Sequence, residues 1–460
     1  MADNKDLQQK EGLPYKEKIE KEVANVPSGE LLKSALTEIQ PKIGVDPFDF
    51  LANMIEGMEN MNPEKKARKK IFMTESTRKK DRQDFLKKLK MWADILSLDQ
   101  DLYGMVENTE KSLQETKDLL AQNLGNTVNE VKDLERSYRT VYLFLRNTEE
   151  AKTNYITFVN ATLEQLTNPE VGNFPEEIER ELNSKFDRLD LCENYSLLLI
   201  PGFLGSKQNI AEWARRANKY QMMLVTDYRG DMFEEAGDLI DMIEIDKLSG
   251  GEDYLANVIL TCNWLVGREK YSDVGEEEPL FLPPSAILAG RMYSTSIAQV
   301  VAGKKFGELL GVQGTMTPLL KSELSKLREL GVVPMVDEWG KIMAFSDKTL
   351  YDGANQKFQT YSIVRVYDYL SKVLVDFCNR RAFENFDSKT EREFRNQITQ
   401  YLEGKKWDDK IIENYELITF KKENDKVIIE IALEPKYPAV SFKINLEAEK
   451  DGDKYNFKAK

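Results

Sequence analysis

The 460 residues contain no histidine. Ser-His-Asp and Cys-His catalysis, histidine-ligated zinc and an imidazole base are therefore excluded. The three cysteines, Cys192, Cys262 and Cys378, lie far apart in apolar contexts. They provide neither a disulfide framework nor a four-cysteine metal site and read as buried, inert thiols. No catalytic residue, metal site or cofactor is expected; aspartate, glutamate, lysine and tyrosine remain for acid–base work, with no pair of carboxylates placed by the sequence. Apolar runs are a few residues long, far short of the ~20 needed to span a bilayer. The opening MADNKDLQQKEGLPYKEKIEKE has no apolar h-region. A net charge of −14, from 79 acids and 65 bases, argues against general nucleic-acid binding. Length predicts about two or three domains at about 150 residues each.

What is present divides in two. Residues 1–30 are charged and Pro/Gly-punctuated and read as a mobile arm. A helix is expected at Leu31–Ile39, where Leu31, Leu32, Ala35 and Leu36 make an apolar stripe before Pro41. Residues 61–90 then hold twelve Lys/Arg against four acids, a local net charge of +8. Only Phe72 and Phe85 interrupt it, too few aromatics for a nucleic-acid platform. A solvated helix or a contact with an acidic protein surface is expected instead. From Leu102 to Arg146 apolar residues recur at three and four, predicting one or two long amphipathic helices with a break near Gly125. The heptad is too irregular to specify a coiled coil. Another helix is expected at Tyr155–Leu166.

After Phe186 the pattern becomes α/β. Ser196–Ile200 and Gln221–Thr226 read as buried strands flanking a helix at Ile210–Lys219. The turn PGFLGSK lacks the spacing of a phosphate loop, since only Gly202 and Gly205 precede Lys207. Asp227–Asp253 carries ten acids against Arg229 and Lys247, a net charge of −8, and reads as a solvated face or docking surface. It lacks the ligand spacing of a calcium loop. Asn257–Val266 reads as one strand, 267–279 as a hairpin or loop. Helix is expected from Ser285, where Gly290 either interrupts it or permits close packing. Met335–Phe345 reads as strand, turn and strand. Tyr361–Phe386 is the clearest helix, with a shorter one at Phe394–Leu402.

Two strands close the chain. Val427, Ile429, Ile431 and Leu433 alternate with their neighbours, as do Val440, Phe442, Ile444 and Leu446, so each strand has one face to bury. A strand at the chain end exposes an edge, and adding it to a neighbour's sheet is the simplest use.

Three features together resemble the large subunit (TssC/VipB type) of the type VI secretion contractile sheath, in its divergent Bacteroidetes-like form. They are Pro283-Pro284-Ser285-Ala286-Ile287-Leu288-Ala289-Gly290-Arg291, the long helix leading to Arg380, Arg381 and Phe383, and the paired strands around a proline turn. The resemblance implies an α+β or α/β chain. A helical N-terminal half precedes tail-sheath-like α/β domains, and a C-terminal strand pair is used for inter-subunit sheet formation. It implies a mobile arm at 1–30, a helical outward-facing region at 31–186, a central sheath domain at 187–355 and a C-terminal sheath domain at 356–460.

It also implies a structural part and not an enzyme. Its expected partners are the small sheath subunit (TssB/VipA type), further copies of itself in a helical hetero-oligomer, the inner tube protein Hcp, the baseplate and the AAA+ unfoldase ClpV. Neither nucleic acid nor direct membrane insertion is expected, and the location is cytoplasmic, on an envelope-anchored baseplate. The eight strand residues above are the expected inter-subunit residues. Lys79, Lys80, Lys87 and Lys88 against Asp231, Glu234, Glu235 and Asp238 form an expected charge-pairing surface. Leu31, Leu32, Ala35 and Leu36 are candidates for assembly or unfoldase contact. The rival readings are a tail-sheath protein of a phage or phage-like particle, a carboxylate-only enzyme, and an unrelated helical scaffold.

Overall fold

The computed structural model describes residues 63–96, 102–148, 156–440 and 445–458, apart from 169, 191–192, 231–232, 234, 339, 424–425 and 451–452. The helix expected at Leu31–Ile39 and Cys192 lie outside the described residues. The chain forms two compact units, Met1–Leu124 and Gly125–Lys460.

In the first unit the basic run becomes two helices, α1 (Pro63–Thr74) and α2 (Lys79–Leu96), joined by a 3₁₀ turn at Ser76–Arg78. Pro63 opens α1, where a missing N–H costs nothing. Most of the lysines are exposed, but Arg82 is buried. It donates from Nη1 to the carbonyls of Phe72 (3.0 Å) and Glu75 (2.6 Å), closing the corner between the helices. Phe72 and Phe85 pack edge to face there, with centroids 6.2 Å apart.

The third helix, α3, runs unbroken from Leu102 to Asn147. The break expected at Gly125 is absent. A Cβ at that position would lie 2.6 Å from the Val274 carbonyl oxygen, so the glycine serves a close approach and does not end the helix. The helix expected at Tyr155–Leu166 shrinks to α4 (Leu163–Thr167). Thr162 accepts from the Gln165 N–H and Gln165 Oε1 accepts from the Thr162 N–H, so this capping box starts the helix late. The β-branched Ile156, Thr157 and Val159 before it have stiff χ1 angles that disfavour helix.

The second unit is built on a five-stranded sheet, flanked by α5 (Phe174–Phe186), α6 (Lys207–Lys219) and α7 (Ala236–Asp246). Its strands are β1 (Leu197–Ile200), β2 (Met223–Asp227), β3 (Val258–Cys262), β7 (Val332–Glu338) and β8 (Lys341–Ala344), in the order β1-β2-β3-β7-β8. The first four are parallel and β8 returns antiparallel. A smaller antiparallel sheet holds β4 (Leu265–Arg268) between β5 (Leu280–Leu282) and β6 (Gly314–Thr315).

Asn257–Val266 is therefore two strands. Asn263 takes φ of 65° between them, and its amide bonds the Thr317 N–H and the carbonyls of Thr317 and Met335. Asparagine tolerates that left-handed conformation, which swings the chain from one sheet into the other. Helices α8 (Pro284–Ser294), α9 (Gly303–Phe306) and α10 (Lys321–Glu329) complete this body. Gly290 lies inside an uninterrupted α8, where a side chain would collide with the Phe144 carbonyl of α3.

Asp227, counted above in an acidic solvated run, is fully buried at the end of β2. Its Oδ2 accepts from the Gly202 N–H (2.7 Å) and the Ser285 hydroxyl, and its Oδ1 from the Ser285 N–H (2.7 Å) and the Thr261 hydroxyl. One carboxylate thus ties the turn after β1, the end of β3 and the first turn of α8. Burial pushes its carboxyl above the ordinary range, against the pull of these four donors.

Two further ties hold the end of α3 to this body. Arg268 forks between Glu135 and Glu276, and Asn147 bonds the N–H and carbonyl of Leu310. Because each oxygen of Asp227 accepts a backbone N–H, an amide there must turn its own NH₂ toward a donor. We expect Asp227→Ala to cost about 3 kcal/mol by leaving two buried N–H groups unpaired, and Asp227→Asn at least about 1 kcal/mol, both read from urea midpoints.

Candidate assembly interface

The C-terminal part of the second unit packs α11 (Tyr361–Arg380) and α12 (Ser388–Trp407) against a long hairpin, β9 (Ile412–Glu423) with β10 (Lys426–Pro435). Asp387 caps α12 by accepting from the N–H groups of Lys389 and Thr390, bonds that hold its carboxyl below the usual range. Val366, Leu370, Ile398, Leu402, Ile411 and Ile412 form a buried cluster. Ile429, Ile431 and Leu433 pack on it, half-buried, so the alternation read in this strand does mark its inner face. Val427, opposite Lys422, is 36% exposed.

The sequence reading missed β9. A bulge lies opposite Glu430 and Ile431, whose partners are Thr419 and Leu417, so Ile418 is an extra residue. Tyr415 and Leu417 face the cluster before it and Phe420 after it, which breaks the period of two. The last expected strand is also displaced. Val440 is exposed and lies in no strand, Phe442 and Ile444 fall outside the described residues, and β11 covers Asn445–Lys450. Pro435 and Pro438, which cannot donate to a ladder, fit an irregular 436–440. Leu446 pairs with Phe457 of β12 (Asp453–Lys458), a strand signalled by the turn residues Asp451-Gly452.

These strands make two separate two-stranded sheets, β9 with β10 and β11 with β12. Each strand has one partner, and its other edge has no strand beside it among the described residues. A two-stranded ribbon is marginal in water and offers its outer N–H and C=O groups to further strands.

A second exposed feature lies on α3. Val131, Leu134, Tyr138, Val141 and Leu145 are all exposed, from 40% at Val141 to 73% at Leu134. Their spacing of 3, 4, 3 and 4 residues makes one seam, the pattern that packs against another helix. These five belong to the apolar recurrence read from Leu102 to Arg146, and the structure adds that they are exposed.

The other expected site residues scatter. Lys79, Lys80, Lys87 and Lys88 are exposed on α2. Glu235 and Asp238, also exposed, sit just before and within the first turn of α7. Asp231, Glu234, Leu31, Leu32, Ala35 and Leu36 lie outside the described residues.

Helix α11 is locked to the base of the five-stranded sheet by polar groups. Asn257 donates to Asp368 Oδ2 (2.8 Å) and to the Met222 carbonyl (2.9 Å), Lys372 donates to Asn194 Oδ1 (2.7 Å) and the Tyr195 carbonyl (2.8 Å), and Gln221 donates to the Ser371 hydroxyl (3.1 Å). Burial pushes Asp368 up to about 6 and Lys372 down to about 8.

The raised Asp368 favours the fold below its unfolded range, and that contribution is lost as pH rises from about 4 to 6. The lowered Lys372 gives the opposite slope, with stability rising from about pH 8 to 10.5. We expect Asp368→Asn to gain about 2 kcal/mol on the parent between pH 4.5 and 7. Urea titrations of both proteins at the two pH values measure the difference, and equal slopes contradict it.

A family model described as type VI secretion system TssC/VipB, central domain, matches residues 126–352. The TssC/VipB-like C-terminal domain matches 360–460, and the TssC/VipB-like N-terminal region matches 35–124. A tail sheath protein of Vibrio phage KVP40 is 25% identical over 162 residues, 34% of this chain and 23% of that protein's length. A chain of the anti-feeding prophage baseplate shares 16% identity at a TM-score of 0.48, covering 68% of this chain and 80% of that one. A sheath tail protein from Desulfitobacterium hafniense shares 12% identity at a TM-score of 0.42, covering 67% and 65%.

Proposed function

This chain belongs to the TssC/VipB family of type VI secretion sheath proteins, and from that premise we propose that it pairs with a small TssB/VipA-type subunit and polymerises helically around an inner tube of Hcp. The polymer contracts to drive that tube outward, works in the cytoplasm from a baseplate, and is recycled by a ClpV-type unfoldase. Membership itself makes the chain a structural subunit of a contractile sheath.

The observation that carries the reading is the pair of two-stranded sheets, β9 with β10 and β11 with β12, whose outer edges have no strand beside them among the described residues. Strands from the small subunit and from adjacent copies complete them. Main-chain pairing suits a contracting polymer, because the hydrogen bonds persist while rigid bodies rotate and slide on flexible connections. The extended lattice is metastable, and contraction releases it into a lower-energy packing. The exposed α3 seam takes a helix of the small subunit. Lys79, Lys80, Lys87 and Lys88 of one copy face the acidic α7 surface, Glu235 and Asp238 included, of another, which makes the lattice salt-sensitive.

Co-expression with the small subunit, followed by electron microscopy, tests the reading: tubes are expected, and a chain that purifies alone without tubes contradicts it. Two variants separate the contacts. Ile429→Pro removes a main-chain donor from β10 and should abolish tubes while the five-stranded body stays folded by circular dichroism. Leu134→Glu places a charge in the seam and should weaken co-purification with the small subunit at least tenfold, with the melting temperature unchanged. Normal tubes from the first, or normal pairing from the second, remove the corresponding contact.

A further inference from the structure

Before α4 the chain presents main-chain groups that no other described residue uses. Residues 156–161, Ile-Thr-Phe-Val-Asn-Ala, belong to no helix or strand and contain no turn or bend, so the backbone runs nearly straight. None of their N–H or C=O groups is hydrogen-bonded within the chain. Ile156, Phe158 and Val159 are 36%, 62% and 52% exposed. β-branched and aromatic residues in a straight, uncharged run are what a strand carries, yet among the described residues no strand lies beside this one.

The run is pinned at both ends, next to the two ends of β1, the outermost strand of the five-stranded sheet. Thr157 Oγ1 and the Tyr195 hydroxyl share a hydrogen bond of 2.5 Å just before β1. At the other end the capping box fixes Thr162, and Leu163 lies against Gly202 just after β1, where a Cβ would be 3.2 Å from it. The buried Trp213 of α6 then donates from Nε1 to the Leu166 carbonyl (3.0 Å). A straight backbone held this way loses little freedom on binding. Its free main chain fits one kind of partner, an extended strand that pairs along it. Since 156–162 carries no charge, the side chains facing it from that strand are uncharged as well. Length indicates the source. Eight peptide steps separate Thr148 at the end of α3 from Ile156, at most about 30 Å, the width of one small domain. A single small protein that covers the end of the α3 seam therefore reaches this run.

We propose that a strand of the small subunit pairs with residues 156–161 while its helix occupies the α3 seam. The proposal rests on the sheath reading for the presence of that subunit, and it adds a main-chain contact outside the C-terminal sheets.

The test uses the full chain co-expressed with its small subunit and purified as unassembled pairs, carrying the photo-crosslinker p-benzoylphenylalanine in place of Phe158. Irradiation should join position 158 to the small subunit, read by mass spectrometry. In the pair without the crosslinker, alternate amides of 156–161 should exchange at least about tenfold more slowly than in the chain alone. Neighbouring residues of a strand aim their N–H groups to opposite sides, so at least one of Phe158→Pro and Val159→Pro removes a ladder donor and should weaken pairing about tenfold. Val159→Thr keeps the N–H and should pair as the parent does. Because the main chain of this run bonds nothing within the chain, all three variants should melt with the parent. Crosslinks to another copy of this chain, or amides that exchange equally fast in both states, overturn this contact and leave the sheath reading standing. A parent chain that pairs with no small subunit removes both.

Discussion

Unpaired main-chain groups are the constraint on which this account turns. Every backbone N–H and C=O in a sheet needs a partner or water, and a ribbon of two strands satisfies only half of them. The chain carries two such ribbons at its end. The first is supported on one face by α11 and α12 through Ile429, Ile431, Leu433 and the buried cluster beneath them. Phe386, Phe394 and Phe420 add ring contacts at centroid distances of 5.6 to 6.3 Å. The face is therefore anchored, and among the described residues no further strand covers the edge. An isolated protein would carry such edges as an aggregation hazard, whereas a polymer uses them as its links.

On the proposed reading such links transmit force, and the body that carries them must then be stiff. The buried Asp227 carboxylate supplies part of that stiffness by holding three segments with four hydrogen bonds. The absence of side chains at Gly125 and Gly290 lets α3 lie against the 3₁₀ turn at Val274 and against α8. Arg268, between two carboxylates, pins the same helix. At the base of the sheet, Asn257, Lys372 and Gln221 fix α11, and the cluster that carries the β9–β10 hairpin also takes Ile297 and Ala298 of the main body.

Much of this was legible in the residues. Short apolar runs gave β1, β2 and the β7–β8 pair, because strands buried on both faces have little else in them. The 3.6-residue period gave α6 and α11. Reading failed where a single side chain or an irregularity overrode the pattern. Asn263 divides an apolar run that looked continuous, the bulge at Ile418 spoils the alternation of β9, and the capping box at Thr162 delays a helix. Asp227 looked like one more surface acid because charge counting cannot see burial. Of the assembly residues, Ile429, Ile431 and Leu433 were visible by alternation. The five α3 seam residues were visible as part of the apolar recurrence from Leu102 to Arg146, but not their exposure, since periodicity shows which residues share a face and not what covers that face.

The central claim is that neighbouring chains complete the open edges of the C-terminal sheets. Amide hydrogen exchange, followed on residues 412–435 in the isolated pair of subunits and in assembled tubes, tests it most directly. Amides of β9 and β10 that face the shared ladder should be protected in both states, and those on the outer edges should become protected only in tubes. Outer-edge amides that exchange equally fast in both states would contradict the account.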